Sequence, residues 1–327
     1  MIRWSASACI RLAWIALAIA FLTGAAHADQ PPGIPRIGVV NPFGISTLEE
    51  SLRDELRQRG YIEGKNIVID WRRPMGTEEE LLLLTIELAR SKAELIVTIG
   101  SPATRAALQG TMLPVVFLVG DPVATGFAAS LAKPGGNGTG VSVLTPELNQ
   151  KRLELLHQIA PRARRIGLLT NLSNPLASRS TEDVRAAART LGIKVEVLNA
   201  QNARELDTAL DTIRRSPPDG LLVSAEAFFM ARKAKIAQTV RKARIPAIFP
   251  YREYHAEGVL MSYGADLSQV GRLMGVYADK ILKGAKPAEL PIEQVSKYQL
   301  IIDLRVAREI GVTVPQELLY RADEVIK

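Results

Sequence analysis

Two successive runs of alternating aliphatic and amphipathic segments constrain this chain more than any other feature. Strand patterns at 36–41, 66–71, 95–99, 115–119 and 139–143 alternate with helical patterns at 47–59, 76–91 and 102–109, and with a short helix after Pro122. The alternation restarts beyond 143–146. Helices are predicted at 147–159, 175–191, 203–215, 229–243, 267–282 and 304–309, with strands at 165–170, 194–198, 220–223, 246–249, 258–262 and 299–302. Strand–helix alternation of this kind builds parallel sheets. Right-handed crossovers place helices on both sheet faces, and loops at the carboxyl ends of the strands line a crevice. The expected fold class is therefore α/β, with two Rossmann-like lobes, parallel sheets and a ligand cleft between the lobes.

Local signals support these bounds. Ser46 is expected to cap the first helix and Gly60 to end it. Glu78, Glu79 and Glu80 fall where a helix dipole favours negative charge. Pro102 suits a first helical position.

The N-terminus has a different character. Arg3 and Arg11 precede an apolar stretch, and the first acidic residue is Asp29. A basic start, a short apolar run and the small-x-small site Ala26-His27-Ala28 read as a signal peptide over 1–28, cleaved after Ala28. The apolar stretch is about 15 residues long, short of the ~20 needed to span a bilayer. Cys9 lies before that run, which disfavours lipoprotein processing. Cleavage removes this single Cys of the 327-residue chain and lowers the net charge from +7 to +5. No disulfide is needed at this size. The basic excess is spread along the chain without interleaved aromatics, so nucleic acid is not an expected partner.

Chemistry is expected at the strand-end loops. Gly100, Ser101, Pro102, Ala103 and Thr104 open a helix whose free N–H groups and hydroxyls suit a carboxylate, unless Ser101 serves only as a cap. Asp121 and Pro122 follow the next strand, and Asp121 offers an acceptor for an ammonium or else closes a local turn. Asn41 and Phe43 follow the first strand. In the second half, Asn171 and Asn174, then Glu226 and Phe228, then Tyr251 occupy equivalent positions, and Tyr263 completes the candidate set. Of the adjacent Phe228 and Phe229, one is expected in the core.

Several alternatives are disfavoured. The glycines of 135–140 do not follow G-x-G-x-x-G and precede a strand, so they read as a tight connection. No G-x-S-x-G elbow appears. His157 and His255, the two histidines left after cleavage, are far apart and form no His-rich metal pattern. No catalytic residue, cofactor or metal is expected.

Arg59-Gly60-Tyr61-Ile62-Glu63-Gly64-Lys65-Asn66-Ile67 resembles a stretch of a bacterial ABC-transporter substrate-binding family. So do Gly120–Val123, Leu131–Gly140, Lys151–Leu156, Ile245–Ile248, Met261–Gly264, Asp279–Pro287 and Arg321–Ile326. The family includes tryptophan- and tyrosine-type binding components. The resemblance implies a type I periplasmic-binding fold with hinge crossings near Val143, Tyr263 and Pro287. Lobe one is then 35–143 plus 264–286, and lobe two 144–263 plus 287–327. It implies a monomer in the periplasm that closes on a small amino-acid-like or carboxylate-bearing ligand, without covalent chemistry, and delivers it to an ABC permease. A ligand sensor presenting its bound state to a membrane receptor is the alternative. The family's Gly-Thr-Pro-Ala is Gly100-Ser101-Pro102-Ala103 here, which keeps the hydroxyl.

Overall fold

A computed structural model describes residues 33–74, 77–143, 145–174 and 176–327. The expected signal peptide lies outside the described residues. Among these residues, no helix is long and apolar enough to cross a membrane.

Residues 35–327 form one compact unit built on two sheets. The first sheet draws on β1 (Arg36–Val40), β2 (Val68–Arg72), β3 (Leu95–Ile99), β4 (Val115–Val119) and β5 (Gly138–Ser142). Between these run α1 (Ser46–Gln58), α2 (Glu78–Arg90) and α3 (Ser101–Gly110). The central strands β3 and β4, LIVTI and VVFLV, are buried along their whole length. Continuous aliphatic runs belong in parallel strands covered on both faces.

The second half contributes β6 (Arg165–Thr170), β7 (Lys194–Asn199), β8 (Gly220–Val223), β9 (Ala247–Phe249) and β10 (Met261–Ala265). Its helices are α4 (Thr145–Ile159), α5 (Ala177–Thr190), α6 (Ala203–Arg215), α7 (Ala227–Met230) and α8 (Lys233–Lys242). Next come α9 (Leu267–Leu282), β11 (Glu293–Gln294), β12 (Tyr298–Asp303), α10 (Leu304–Ile310), α11 (Gln316–Arg321) and β13 (Glu324–Ile326). The sheet orders are β11-β5-β4-β3-β1-β2 and β13-β12-β10-β9-β8-β6-β7.

The sheets are not wholly parallel. Strand β12 pairs antiparallel with β10, Met261 opposite Ile302. Strand β10 leads out of the second sheet toward α9, which packs on α1 and the first sheet. The chain re-enters through β11 and the segment 295–297, so β12 starts at Tyr298 beside the end of β10 at Ala265 and runs back against it. Segment 287–294, expected with the second lobe, instead hydrogen-bonds to the first sheet, Glu293 opposite Val141.

Smaller corrections have local causes. Ile45 occupies the cap position of α1 without a side-chain bond, and Ser46 lies inside the helix. The expected 229–243 helix divides into α7 and α8, with Arg232 in a non-helical conformation between them. After Pro122 there is a turn and no helix, because Asp121 Oδ1 accepts from the amides of Val123 (3.1 Å) and Ala124 (2.9 Å).

Leu48, Leu52 and Leu56 form a stripe on α1 that is fully buried. Burying each contributes roughly 1.5–3 kcal/mol. Helix α9 crosses this stripe where Gly271 and Gly275 present no side chain. A Cβ at Gly271 would overlap the Leu48 carbonyl oxygen, and one at Gly275 would lie 2.8 Å from Glu55 Cβ.

Candidate functional site

The carboxyl ends of strands from both sheets open into one cleft of about 550 Å³, within the usual size of small-molecule sites. One wall holds Phe43 after β1, then Gly100 between β3 and α3 with Ser101 and Pro102 in the first turn of α3, and Gly120 after β4. The facing wall holds Asn171, Ser173 and Asn174 after β6, Ser224 and Glu226 after β8, and Tyr251 after β9.

Gly100 shapes the first wall. Its φ of 92° and ψ of 153° lie in a region that is essentially restricted to glycine. A Cβ there would also meet the Phe43 ring at 2.9 Å. The turn aims the first turn of α3 at the cleft. Pro102 has no N–H, so the amides of Ser101 and Ala103 carry the positive end of the helix dipole. Arg105, one turn further and half-buried, also lines the cleft, with its Cζ 5.4 Å from the Phe127 ring centroid.

Glu226 is the carboxylate of the facing wall. Asn174 donates Nδ2 to its Oε1 across 2.9 Å. Burial pushes the Glu226 carboxyl up to about 8, against the opposing pull of that bond. Tyr251, also in the wall, is pushed up to about 12 by burial and stays a neutral hydroxyl. Arg232 Cζ stacks 4.0 Å from the Phe228 ring centroid, and its Nη1 donates to the Phe228 carbonyl at 3.3 Å. Phe228 lines the cleft while Phe229 is fully buried in the core.

Some expected positions lie outside the cleft lining. Asn41 is fully buried and donates to Glu49 Oε1 at 2.9 Å. Ala103 is buried in the core, and Thr104 Oγ1 lies 2.9 Å from Thr98 Oγ1 and 3.0 Å from the Gly100 carbonyl. Asp121 and Pro122 form the turn described above. The Tyr263 ring lies 6.0 Å from Tyr298, and its carbonyl accepts from Arg152.

Conversely, the cleft includes Arg105, Asn149, Ser180 and Arg232, which strand-end reasoning does not reach, and Gln201, which stands after β7 but is not among the expected residues. Arg105 was signalled by its spacing four residues beyond Ser101, on the same helix face. Asn149 was signalled by a polar residue within the apolar stripe of α4. Among the described residues no cluster of His, Cys, Asp and Glu could hold a metal ion.

Residues 39–326 match a family model described as ABC transporter substrate binding protein. A tyrosine-binding protein of Clostridioides difficile (strain R20291) is 25% identical over 250 residues, 76% of this chain and 72% of that protein. Among solved structures, an ABC domain in complex with L-Trp from Streptococcus pneumonia superposes with a TM-score of 0.82 at 26% identity. The match covers 90% of this chain and 100% of that one. A conserved domain protein from Vibrio cholerae gives 0.83 at 25% identity, with the same coverage. These neighbours share the type I periplasmic-binding fold. The chain belongs to the family of ABC transporter substrate-binding proteins.

Proposed function

We propose that the protein is the periplasmic receptor of an ABC importer, exported by a signal peptide cleaved after Ala28, and that it binds a small α-amino acid. The observation that carries this reading is the opposition across one cleft of a helix N-terminus at Ser101 and a carboxyl group at Glu226. The first suits a carboxylate. The second suits an ammonium, because Asn174 occupies only one of its oxygens. Phe43, Leu81, Leu176 and Phe228 offer an apolar surface for the side chain. The tyrosine-binding relative and the L-Trp complex support the amino-acid class. Mechanistically, a ligand touching both walls favours the closed arrangement of the two lobes, about hinges where the chain passes between the sheets. A membrane permease then receives it.

The test is a thermal-shift screen of amino acids, organic acids and sugars on the exported protein. A ligand at about 100 times its dissociation constant adds roughly 2.7 kcal/mol, which raises the melting temperature by a few degrees or more. Stabilisation by an amino acid supports the reading. Stabilisation by sugars alone, or native mass spectra with no bound amino acid and no response across the panel, rejects it.

A further inference from the structure

Behind the cleft wall lies a charge with no ionic partner among the described residues. Arg152, within the Lys151–Leu156 stretch of α4, is only 1% exposed. It forms no ion pair with any described carboxylate; the groups around its guanidinium are Tyr251, Tyr254, Tyr263 and Tyr298. Burial lowers it to about 10, so it remains protonated at neutral pH. Its Nε donates to the Tyr263 carbonyl at 2.7 Å, and its Nη1 donates to Asn149 Oδ1 at 2.6 Å.

That second bond has a directional consequence. A guanidinium only donates. Asn149 therefore presents its oxygen to Arg152, and its amide nitrogen must face the other way. Asn149 Nδ2 donates to Ser180 Oγ at 2.6 Å. Ser180 is thus an acceptor toward Asn149, and its own proton finds no acceptor among the described residues. Both Asn149 and Ser180 line the cleft. The polarity of the chain Arg152, Asn149, Ser180 is set from its buried charged end.

Resting on the amino-acid reading of this cleft, we propose that Ser180 is an obligate hydrogen-bond donor to the ligand carboxylate, with Arg152 as the positioning residue that imposes this polarity through Asn149. The carboxylate then meets donors on both walls, the α3 amides on one and Ser180 on the other. The same group that neutralises the helix end also supplies negative charge toward Arg152. Donor groups of a ligand are served less well here, because the Asn149 amide turns no acceptor toward them and Ser180 Oγ keeps only its second lone pair once it accepts from Asn149.

The discriminating variant is Asn149→Asp. It is nearly isosteric and gives Arg152 a counter-ion. It accepts from both neighbours, so the Ser180 proton turns away from the cleft. The experiment titrates wild type, Asn149→Asp and Ser180→Ala calorimetrically with a panel of L-amino acids, each paired with its amide. The wild type is expected to prefer acid over amide. Asn149→Asp should lose at least ~100-fold in affinity for the acid and at least ~10-fold in the acid-to-amide ratio, with an unchanged or higher melting temperature. Ser180→Ala should lose at least ~10-fold for the acid. Retention of acid affinity within about threefold in a folded Asn149→Asp protein overturns the assignment of Arg152 and Ser180 while leaving the amino-acid reading intact. Absence of any acid binding to the wild type overturns that reading, and this inference falls with it.

Discussion

Asn174 and Glu226 are joined by a 2.9 Å hydrogen bond between two loops, the first following β6 and the second following β8. The bond orients a carboxyl group that burial holds mostly protonated at neutral pH, since its value is pushed up to about 8. In the unfolded chain the same group ionises near 4.3. Between these values the native state carries a proton that the unfolded state lacks. Stability is therefore expected to fall as pH rises from about 5 to about 8, and this contribution levels off above that. Glu226→Gln should flatten that slope in urea denaturation curves taken at pH 5, 6.5 and 8.

The same titration couples to the proposed ligand. An ammonium favours the ionised Glu226, so amino-acid binding should release a proton below pH 8. Affinity should rise from pH 6 to pH 8, approaching tenfold per unit at the acid end. Calorimetry in buffers of different ionisation enthalpy measures the released proton directly, and Glu226→Gln should abolish both effects.

Gly100→Ala is expected to cost about 1–3 kcal/mol from its backbone conformation. The clash with Phe43 adds to this. The melting temperature should drop by several degrees. Because the α3 turn would be re-aimed, affinity for any carboxylate ligand should fall more than that of Phe43→Leu, which removes the ring but leaves the turn.

His255 is a second pH-sensitive group. Burial depresses it to about 4, and its Nε2 lies 3.0 Å from Ser262 Oγ. Its folded value lies below the unfolded one, so the unfolded chain binds the extra proton between about 4 and 6.5. Stability should fall by up to roughly 3 kcal/mol as pH drops through that window. His255→Gln should remove much of this acid sensitivity, as read from melting temperatures between pH 4 and 7.

The two glycines of α9 should respond differently to alanine. Alanine gains about 1 kcal/mol in a helix interior. At Gly275 the neighbours at 2.8 Å are Glu55 Cβ and Cγ, and only Cγ can swing away, so the helix gain is offset and Gly275→Ala should destabilise, though by less than Gly271→Ala. At Gly271 the obstacle is the Leu48 carbonyl of the backbone. Overpacking there costs about 1–3 kcal/mol or more, so Gly271→Ala should lower the melting temperature measurably below Gly275→Ala.

Much of the secondary structure was legible because local pattern decides it. Strands β3, β4, β6 and β8 and helices α6 and α9 keep the bounds read from their aliphatic runs or helical periodicity. Pairing was less legible. Glu293–Gln294 is two polar residues long and becomes a strand only through β5. Nothing in Tyr298–Asp303 alone reveals that it runs against β10. The site divides in the same way. Ser101, Asn174 and Glu226 stand at strand ends, where topology predicts a crevice. Asn149 and Ser180 stand inside helices, and only the packing of α4 against α5 brings them to the wall. Asp121 could serve a ligand or its own turn, and its two amide donors show the turn.

The pairing of β11 with β5 also dictates an order of assembly. Along the chain β5 ends at Ser142 and its edge partner begins only at Glu293, and α9, which covers that region of the sheet, also follows the whole β6–β10 segment. Without that partner β5 is an open edge, a template for pairing with other chains. The first sheet is therefore complete only when the chain through Gln294 is in place, and a truncation before Glu293 would leave its β5 edge open.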